Sequence, residues 1–517
     1  MKKLLNCKKG NLFPFLFMLS LIGLILRVFL LWRDSTSFTY DQGRDFLDLR
    51  EMWILRKVRL IGPTTSLHGL FSGPFWYWLC FPFFLLTNGD PLANLIPLLL
   101  FSFLAPLIIL LLIENKKLGL ILGIFYIFSS PFISSSLVAL NTNPVIFLTP
   151  ILLLFLAKFF ATGKKFFIAV ALFLISTFFH FEPLAGIFLL AGFLISVFLF
   201  KRGKFIFENK KLWLAFILPF LPQIIFDFRH DFIQTKTIWR FFALGEGSLT
   251  SVNKGLVSRF LDRLEVFKNV WIFLLGNSVL LGILILFLTV FLIVKVLKNK
   301  SKDEDYYFIL TSLIFLAVVF LCFVFYPYAL WVWYLGVVDG LVAILIAFGV
   351  YFLWSWRNKI FSFLAFSILV IIVYFNLKKY SPWFFEKGFS SDPANLRTRI
   401  EVIDSIYKDA GGKGINVFTF APYVYDYPYQ YLIWWRAKTK HHYLPEKYYY
   451  LANQPEYVPA KGIADKLIPS KKAECDYLII EPFESQEEWF LRWRGNFPEA
   501  KKIWQIGQTK IEKLCAD

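Results

Sequence analysis

The chain has 517 residues, of which 57% are hydrophobic and 18% charged, and its mean hydropathy is +0.59. Soluble domains run at about 45–50% apolar and about 25% charged, so a soluble globular enzyme is excluded, and a disordered chain with it. The net charge of +19 divides into +16 over residues 1–377 and +3 from Lys378 onward. The basic excess therefore sits among apolar runs, where it orients a membrane protein and does not point to nucleic acid.

In chain order, a basic start (Lys2, Lys3, Lys8, Lys9) leads into an apolar run at 12–32 with no small-residue cleavage site behind it. This is read as an uncleaved transmembrane helix. Further apolar runs follow at 91–113, 118–138, 144–160, 166–180, 183–200, 212–227, 270–294, 307–326, 330–354 and 360–377, and a short one at 74–87. Basic connectors recur at Lys158, Lys164 and Lys165, at Lys201, Arg202, Lys204, Lys210 and Lys211, at Lys295, Lys298, Lys300 and Lys302, and at Arg357 and Lys359. With these on the cytoplasmic side, the connectors 33–73, 141–144, 180–183, 227–268 and 327–334 lie outside, together with the tail. That parity requires the 74–87 run, too short to cross, to be a re-entrant or oblique segment. The expectation is an all-α polytopic bundle of 11 to 13 transmembrane helices over residues 1–377. A small extracytoplasmic α/β domain follows over 378–517.

The first external loop, 33–73, is the most informative stretch. Tyr40-Asp41-Gln42-Gly43-Arg44-Asp45 leads into charges interleaved with Phe46, Leu47, Leu49, Trp53, Ile54 and Leu55, which predicts an amphipathic surface helix from Asp45 to Lys57. Asp41 then falls where a carboxylate caps a helix, or serves as a catalytic or metal-binding group at the membrane boundary. The loop ends in a Gly- and Pro-punctuated segment containing His68, then Gly73-Pro74-Phe75-Trp76-Tyr77-Trp78. Downstream, His180 and Glu182 flank a helix break, and Asp227, Arg229 and His230 end a crossing among aromatic rings. An intramembrane acid is a functional candidate by default, and Arg229 has the geometry to clamp a phosphate. The plainer readings are a capped hairpin and an Asp–Arg pair. Trp331, Trp333 and Tyr334 read as an interfacial aromatic belt. Asp339, inside a crossing, needs a partner, for which Arg27 is the candidate.

In the tail, 396–407 has helical spacing, 415–421 and 476–481 read as strands, and 487–493 as a helix. The stretch 423–435 carries Tyr and Trp at most positions, to stack on sugar rings or to pack the domain onto the bilayer. Cys475 and Cys515 are able to pair in an oxidising compartment. A divalent metal at Asp41, His180 or Glu182 has no recognisable ligand spacing.

The order of one helix, a long loop with Tyr40-Asp41, a surface helix and then Gly73-Pro74-Phe75-Trp76-Tyr77-Trp78 resembles the GT-C superfamily of polytopic glycosyltransferases. That superfamily includes protein O-mannosyltransferases and lipid A aminoarabinose transferases. Ser130-Pro131 followed by Asn141-Thr142-Asn143-Pro144 is a second echo. The resemblance covers residues 10–380 in architecture. It implies a polyprenyl-phosphate sugar donor taken from the outer leaflet, and an envelope glycan, lipid or protein as acceptor. It also implies Asp41 as the general base, with Asp45 the alternative in the same loop. His68, Tyr77, His180, Glu182, Asp227, Arg229, His230 and Tyr334 are the candidate substrate-binding residues. Where some members place a lysine before the aromatic segment to meet the lipid phosphate, this chain has His68. The rival readings are a carrier or flippase for lipid-linked saccharides and a membrane scaffold for the tail domain. Carriers place ionisable groups near the midplane and often show internal repeats, whereas here the polar residues crowd one side.

Overall fold

The structure, a computed structural model, describes residues 12–244, 255–298, 303–356, 358–385, 392–422, 425–451, 457–483 and 486–515. Lys2, Lys3, Lys8, Lys9, Lys300, Lys302, Arg357 and Tyr423 lie outside the described residues. In chain order the helices are α1 (Leu12–Trp32), α2 (Tyr40–Leu55), α3 (Phe75–Leu86), α4 (Leu95–Leu112), α5 (Lys116–Phe128), α6 (Ser130–Leu137), α7 (Pro144–Thr162), α8 (Lys165–Phe181) and α9 (Pro183–Leu199). They continue with α10 (Gly203–Glu208), α11 (Leu212–Ile217), α12 (Leu221–Arg229), α13 (Ile233–Trp239), α14 (Leu256–Leu274), α15 (Val279–Lys298), α16 (Glu304–Phe325), α17 (Gly336–Trp354), α18 (Lys359–Lys378) and α19 (Ser381–Phe385). The tail contributes α20 (Leu396–Ala410), α21 (Tyr427–Arg436), α22 (Lys461–Asp465) and α23 (Glu487–Arg494).

Among the described residues, 8 helical segments are long and apolar enough to cross a membrane, or up to 9 when the bent pair α5–α6 counts as one. The chain is a multi-pass membrane protein. Each of the apolar runs read as a crossing is wholly or largely helical, and α8 and α9 are the shorter members. Two runs are more broken than periodicity suggests. The one at 212–227 becomes α11, a 3-10 turn at Leu218–Phe220 and α12, because Pro219 and Pro222 remove backbone donors. The one at 270–294 is divided between α14 and α15 by Gly276 and Asn277, both left-handed. The short run is α3, a helix of 12 residues containing Pro82, well below bilayer length.

The described chain forms two compact units. One comprises residues up to Val28, Leu60–Trp76 and Pro97–Pro382; the other comprises Phe29–Arg59, Tyr77–Ile96 and Trp383 onward. The second unit thus adds α2 and residues 77–96 to the tail. In the first, α7 and α17 are the core helices, while α1, α15 and α18 leave most of their surface exposed, as lipid-facing helices do.

Arg27 is fully buried in this unit, and its partner is not Asp339. The bend of 49° between α5 and α6 leaves the Ile127 carbonyl opposite Pro131, which has no N–H, while the Ser130 N–H donates to Asn376. Arg27 supplies the missing donors, to the carbonyls of Tyr126 (3.2 Å) and Ile127 (2.9 Å), and to Ser136 Oγ (2.8 Å). The deep arginine is hydrogen-bonded by backbone carbonyls and a serine hydroxyl rather than paired with an acid.

The second unit holds a five-stranded sheet of β1 (Ile415–Phe420), β2 (Lys447–Tyr449), β3 (Cys475–Ile480), β4 (Lys502–Ile506) and β5 (Thr509–Lys513), in the order β2-β1-β3-β5-β4. The β1 strand pairs parallel with β2 and β3, with Phe418 opposite Leu478, and β5 runs antiparallel between β3 and β4. Phe420, Leu478, Ile480 and Trp493 form a core beneath one face. Cys475 and Cys515 are disulfide-bonded, tying the start of β3 to the chain's end.

Candidate active site on the first-loop helix

The helix α2 starts earlier than its amphipathic pattern suggests, because Thr39 is the N-cap of a capping box: its N–H donates to Gln42 Oε1 at 2.5 Å while its side chain accepts from the Gln42 N–H. Asp41 is consequently not the cap. It lies inside the first turn, where negative charge is favourable, with its side chain 47% exposed and its Oδ1 2.8 Å from Arg44. Asp45, one turn on, is 1% exposed; the same guanidinium lies 2.9 Å away, and the Tyr77 hydroxyl approaches Oδ1 at 3.2 Å. Tyr77 donates at 2.7 Å to Asp48, which pairs with Arg59 at 2.7 Å, and Arg59 also holds Glu51.

Four carboxylates thus face two guanidinium groups along one helix, with a fully buried tyrosine between two of them. Burial pushes the Asp45 carboxyl up to about 6 against the opposing pull of Arg44, and burial also raises Asp48 against the pull of Arg59. Asp41 is the accessible carboxylate, and the others form its support. Tyr77, expected to touch substrate, is instead enclosed and orders Asp45 and Asp48. Asp48, Glu51 and Arg59 were not among the predicted residues; the spacing of Asp45, Asp48 and Glu51 along a helix is the signal that marks them.

The remaining predicted residues lie in the membrane unit. The loop from Gly62 to Gly73 closes on itself through Gly62 N–H to Ser72 O (2.8 Å) and Ser72 N–H to Pro63 O (2.9 Å). His68 sits exposed at its tip, its carbonyl accepting from Thr237 at 3.3 Å. His180 is fully buried and stacked on Phe75, with centroids 3.9 Å apart; a Cβ at Gly73 would stand 2.0 Å from its Nδ1, so only glycine fits there. Glu182 is the N-cap of α9, accepting from the Leu184 N–H at 3.2 Å, and lies near Tyr334, whose hydroxyl is hydrogen-bonded with Ser66.

Asp227 does not pair with Arg229. Its carboxylate accepts from the N–H groups of Gln234 (2.7 Å) and Thr235 (3.2 Å) at the start of α13, and from the Thr235 hydroxyl, so its role is to cap that helix. Arg229 is left exposed, and His230 stacks on Phe226 with Nδ1 2.8 Å from the Phe226 carbonyl. Trp331 and Trp333 stack on one another, exposed.

In the second unit His441 lies against Asp404 at 2.8 Å, and Arg436 and Lys440 hold the same carboxylate. Among the described residues no three His, Cys, Asp or Glu side chains gather to hold a metal. The aromatic stretch divides: Tyr429, Tyr431 and Trp434 are core, with Tyr431 packed against Phe46 and Trp434 against Trp53 and Arg50 of α2. Those three rings neither meet sugars nor face a bilayer.

No family model matches the chain, and no curated protein matches it. Solved structures do. The crystal structure of ArnT from Cupriavidus metallidurans bound to undecaprenyl phosphate superposes with a TM-score of 0.61 at 10% identity, over 97% of this chain and 98% of that one. The apo state of the same protein gives 0.57 at 10% identity, over 96% and 98%. At that identity the likeness is one of fold. The shared fold is a membrane helical bundle with a small C-terminal sheet domain, the architecture that the resemblance led one to expect.

Proposed function

From that shared fold we propose that the protein is a membrane glycosyltransferase. It moves a sugar from a polyprenyl-phosphate donor to an envelope glycan, lipid or protein acceptor at the outer face of the cytoplasmic membrane. The observation that carries the reading is the α2 cluster: Asp41, the most accessible carboxylate, braced by Arg44 on a helix where Asp45 and Asp48 are buried and paired and Glu51 is paired with Arg59. Undecaprenyl phosphate in the ArnT structure supports a lipid-phosphate donor. The Cys475–Cys515 disulfide supports an oxidising compartment for the tail.

In this mechanism Asp41 accepts the acceptor hydroxyl's proton as that oxygen bonds to the sugar's anomeric carbon. The bond from that carbon to the phosphate oxygen breaks with inversion, and the electron pair leaves with the polyprenyl phosphate. Arg44 fixes Asp41, while Asp45, Tyr77 and Asp48 fix Arg44 and the helix. In the membrane unit His68, Arg229 and His230 are exposed groups whose chemistry suits a lipid phosphate. His180, Glu182, Asp227 and Tyr334 shape the loops around them.

The role of Asp41 is tested by steady-state kinetics with radiolabelled polyprenyl-phosphate sugars. Asp41→Asn is expected to lower kcat by about 100-fold or more with the donor KM little changed. Transfer by this variant at the wild-type rate would remove Asp41 as the base.

A further inference from the structure

We propose that Tyr40, Tyr425, Tyr427 and Tyr457 form a platform on which a pyranose ring stacks, presenting its hydroxyls to Asp41. All four residues belong to the second unit, and all four are half-buried. Tyr40 precedes Asp41 in the first turn of α2, and its ring lies 5.0 Å from that of Tyr427. Tyr425 stacks on Tyr427 at 5.2 Å and on Tyr457 at 4.9 Å, both at 26°. The arrangement is braced from beneath: Asp426, 1% exposed, accepts from the Tyr457 hydroxyl and from Gln430 Nε2, while the tyrosines on either side of it keep open surface. Gly43 lets α2 meet the backbone of Tyr427 and Pro428 directly, which sets Tyr427 beside Tyr40. Neighbouring rings that serve only packing, Tyr429, Tyr431 and Trp434, are by contrast fully enclosed.

The chemistry selects the ligand. Aromatic faces take the apolar C–H face of a sugar, and phenol hydroxyls and an exposed carboxylate take its hydroxyls. A phosphate does not fit: Arg44, the cation beside Asp41, is already shared between Asp41 and Asp45, and acids outnumber guanidinium groups along α2. The platform therefore holds the uncharged ring of a substrate. Ring binding stands by itself; the delivery of a hydroxyl to Asp41 rests on the glycosyl-transfer reading.

The test uses the full chain in nanodiscs. Saturation-transfer NMR with a panel of methyl glycopyranosides (hexoses, pentoses and amino sugars) is expected to show saturation concentrated on the C–H protons of one ring face. Tyr425→Leu and Tyr427→Leu should abolish it, and Tyr425→Phe should keep it. In kinetics the Leu variants should raise one KM about 10-fold with kcat within about twofold. A raised donor KM assigns the ring to the donor sugar, and a raised acceptor KM assigns it to an acceptor glycan. If the Leu variants fail to fold, the wild-type pattern decides, a one-face pattern supporting the platform and its absence overturning it. No saturation of any ring, or equal saturation in wild type and folded Leu variants, overturns the proposal. Ring binding without any sugar transfer would instead leave the platform standing and refute the transferase reading.

Discussion

Asp41 and Asp45 stand one turn apart on α2 and share Arg44, yet their surroundings give them different chemistry. Asp41 opens to solvent; Asp45 is enclosed by the helix and by Tyr77. The groups facing Asp45 are Arg44, Asp41, Asp48, Cys80 and the Tyr77 hydroxyl; burial, aided by the like charges of Asp41 and Asp48, outweighs the pull of Arg44 and raises its carboxyl from 3.8 to about 6. A carboxyl that holds its proton more tightly in the folded chain stabilises the fold most below its unfolded value. That contribution is lost as pH rises through the folded value. At about 1.4 kcal/mol per unit, wild type should lose about 2 kcal/mol relative to Asp45→Asn between pH 4 and pH 7. Denaturation of the two proteins in detergent across that range measures the gap. A wild type that holds or gains stability relative to the variant as pH rises would show that burial does not raise the Asp45 carboxyl.

At the scale of elements, the junction of α2 with α21 decides where Asp41 points. A Cβ at Gly43 would lie 2.4 Å from the Pro428 nitrogen, so the two helices touch backbone to backbone. Because backbone cannot rotate aside, Gly43→Ala should destabilise the second unit by about 1–3 kcal/mol, read as a lowered Tm in detergent. An unchanged Tm would mean that the helices part at no cost. This junction explains what the sequence could and could not reveal. The bundle, α20, β1, β3 and α23 were legible because apolar length and periodicity announce them. The early start of α2 was legible in principle, through Thr39 and Gln42. The fate of the 423–435 aromatics was not: periodicity cannot tell a ring buried against a helix nearly 400 residues earlier from one left at its edge. The same holds for Asp227, whose true partner is the start of α13 rather than its neighbour Arg229. The alternating β4–Gly507–β5 hairpin was readable but is short and edge-like, its outer strand largely exposed. The backbone geometry at a bend explains most of Arg27, since all its acceptors but the Ser136 hydroxyl are carbonyls that no side-chain pattern records.

For the whole molecule, the division of the chain matters more than its count of crossings. The first-loop helix and the segment 77–96 join the tail in one compact unit, while the loops carrying His68, His180, Glu182 and Arg229 belong to the membrane unit. In the proposed reaction Asp41 of α2 supplies the base. A carrier would need no exposed carboxylate braced by paired acids, and would move its cargo intact. The most direct measurement therefore reconstitutes the purified protein in liposomes with a radiolabelled polyprenyl-phosphate sugar and an envelope extract, following the label in both leaflets and in the extract. A glycosyltransferase releases polyprenyl phosphate and passes the label covalently to an acceptor, with no label crossing the bilayer on intact donor. Intact donor crossing between leaflets, with no label transferred, would contradict the account.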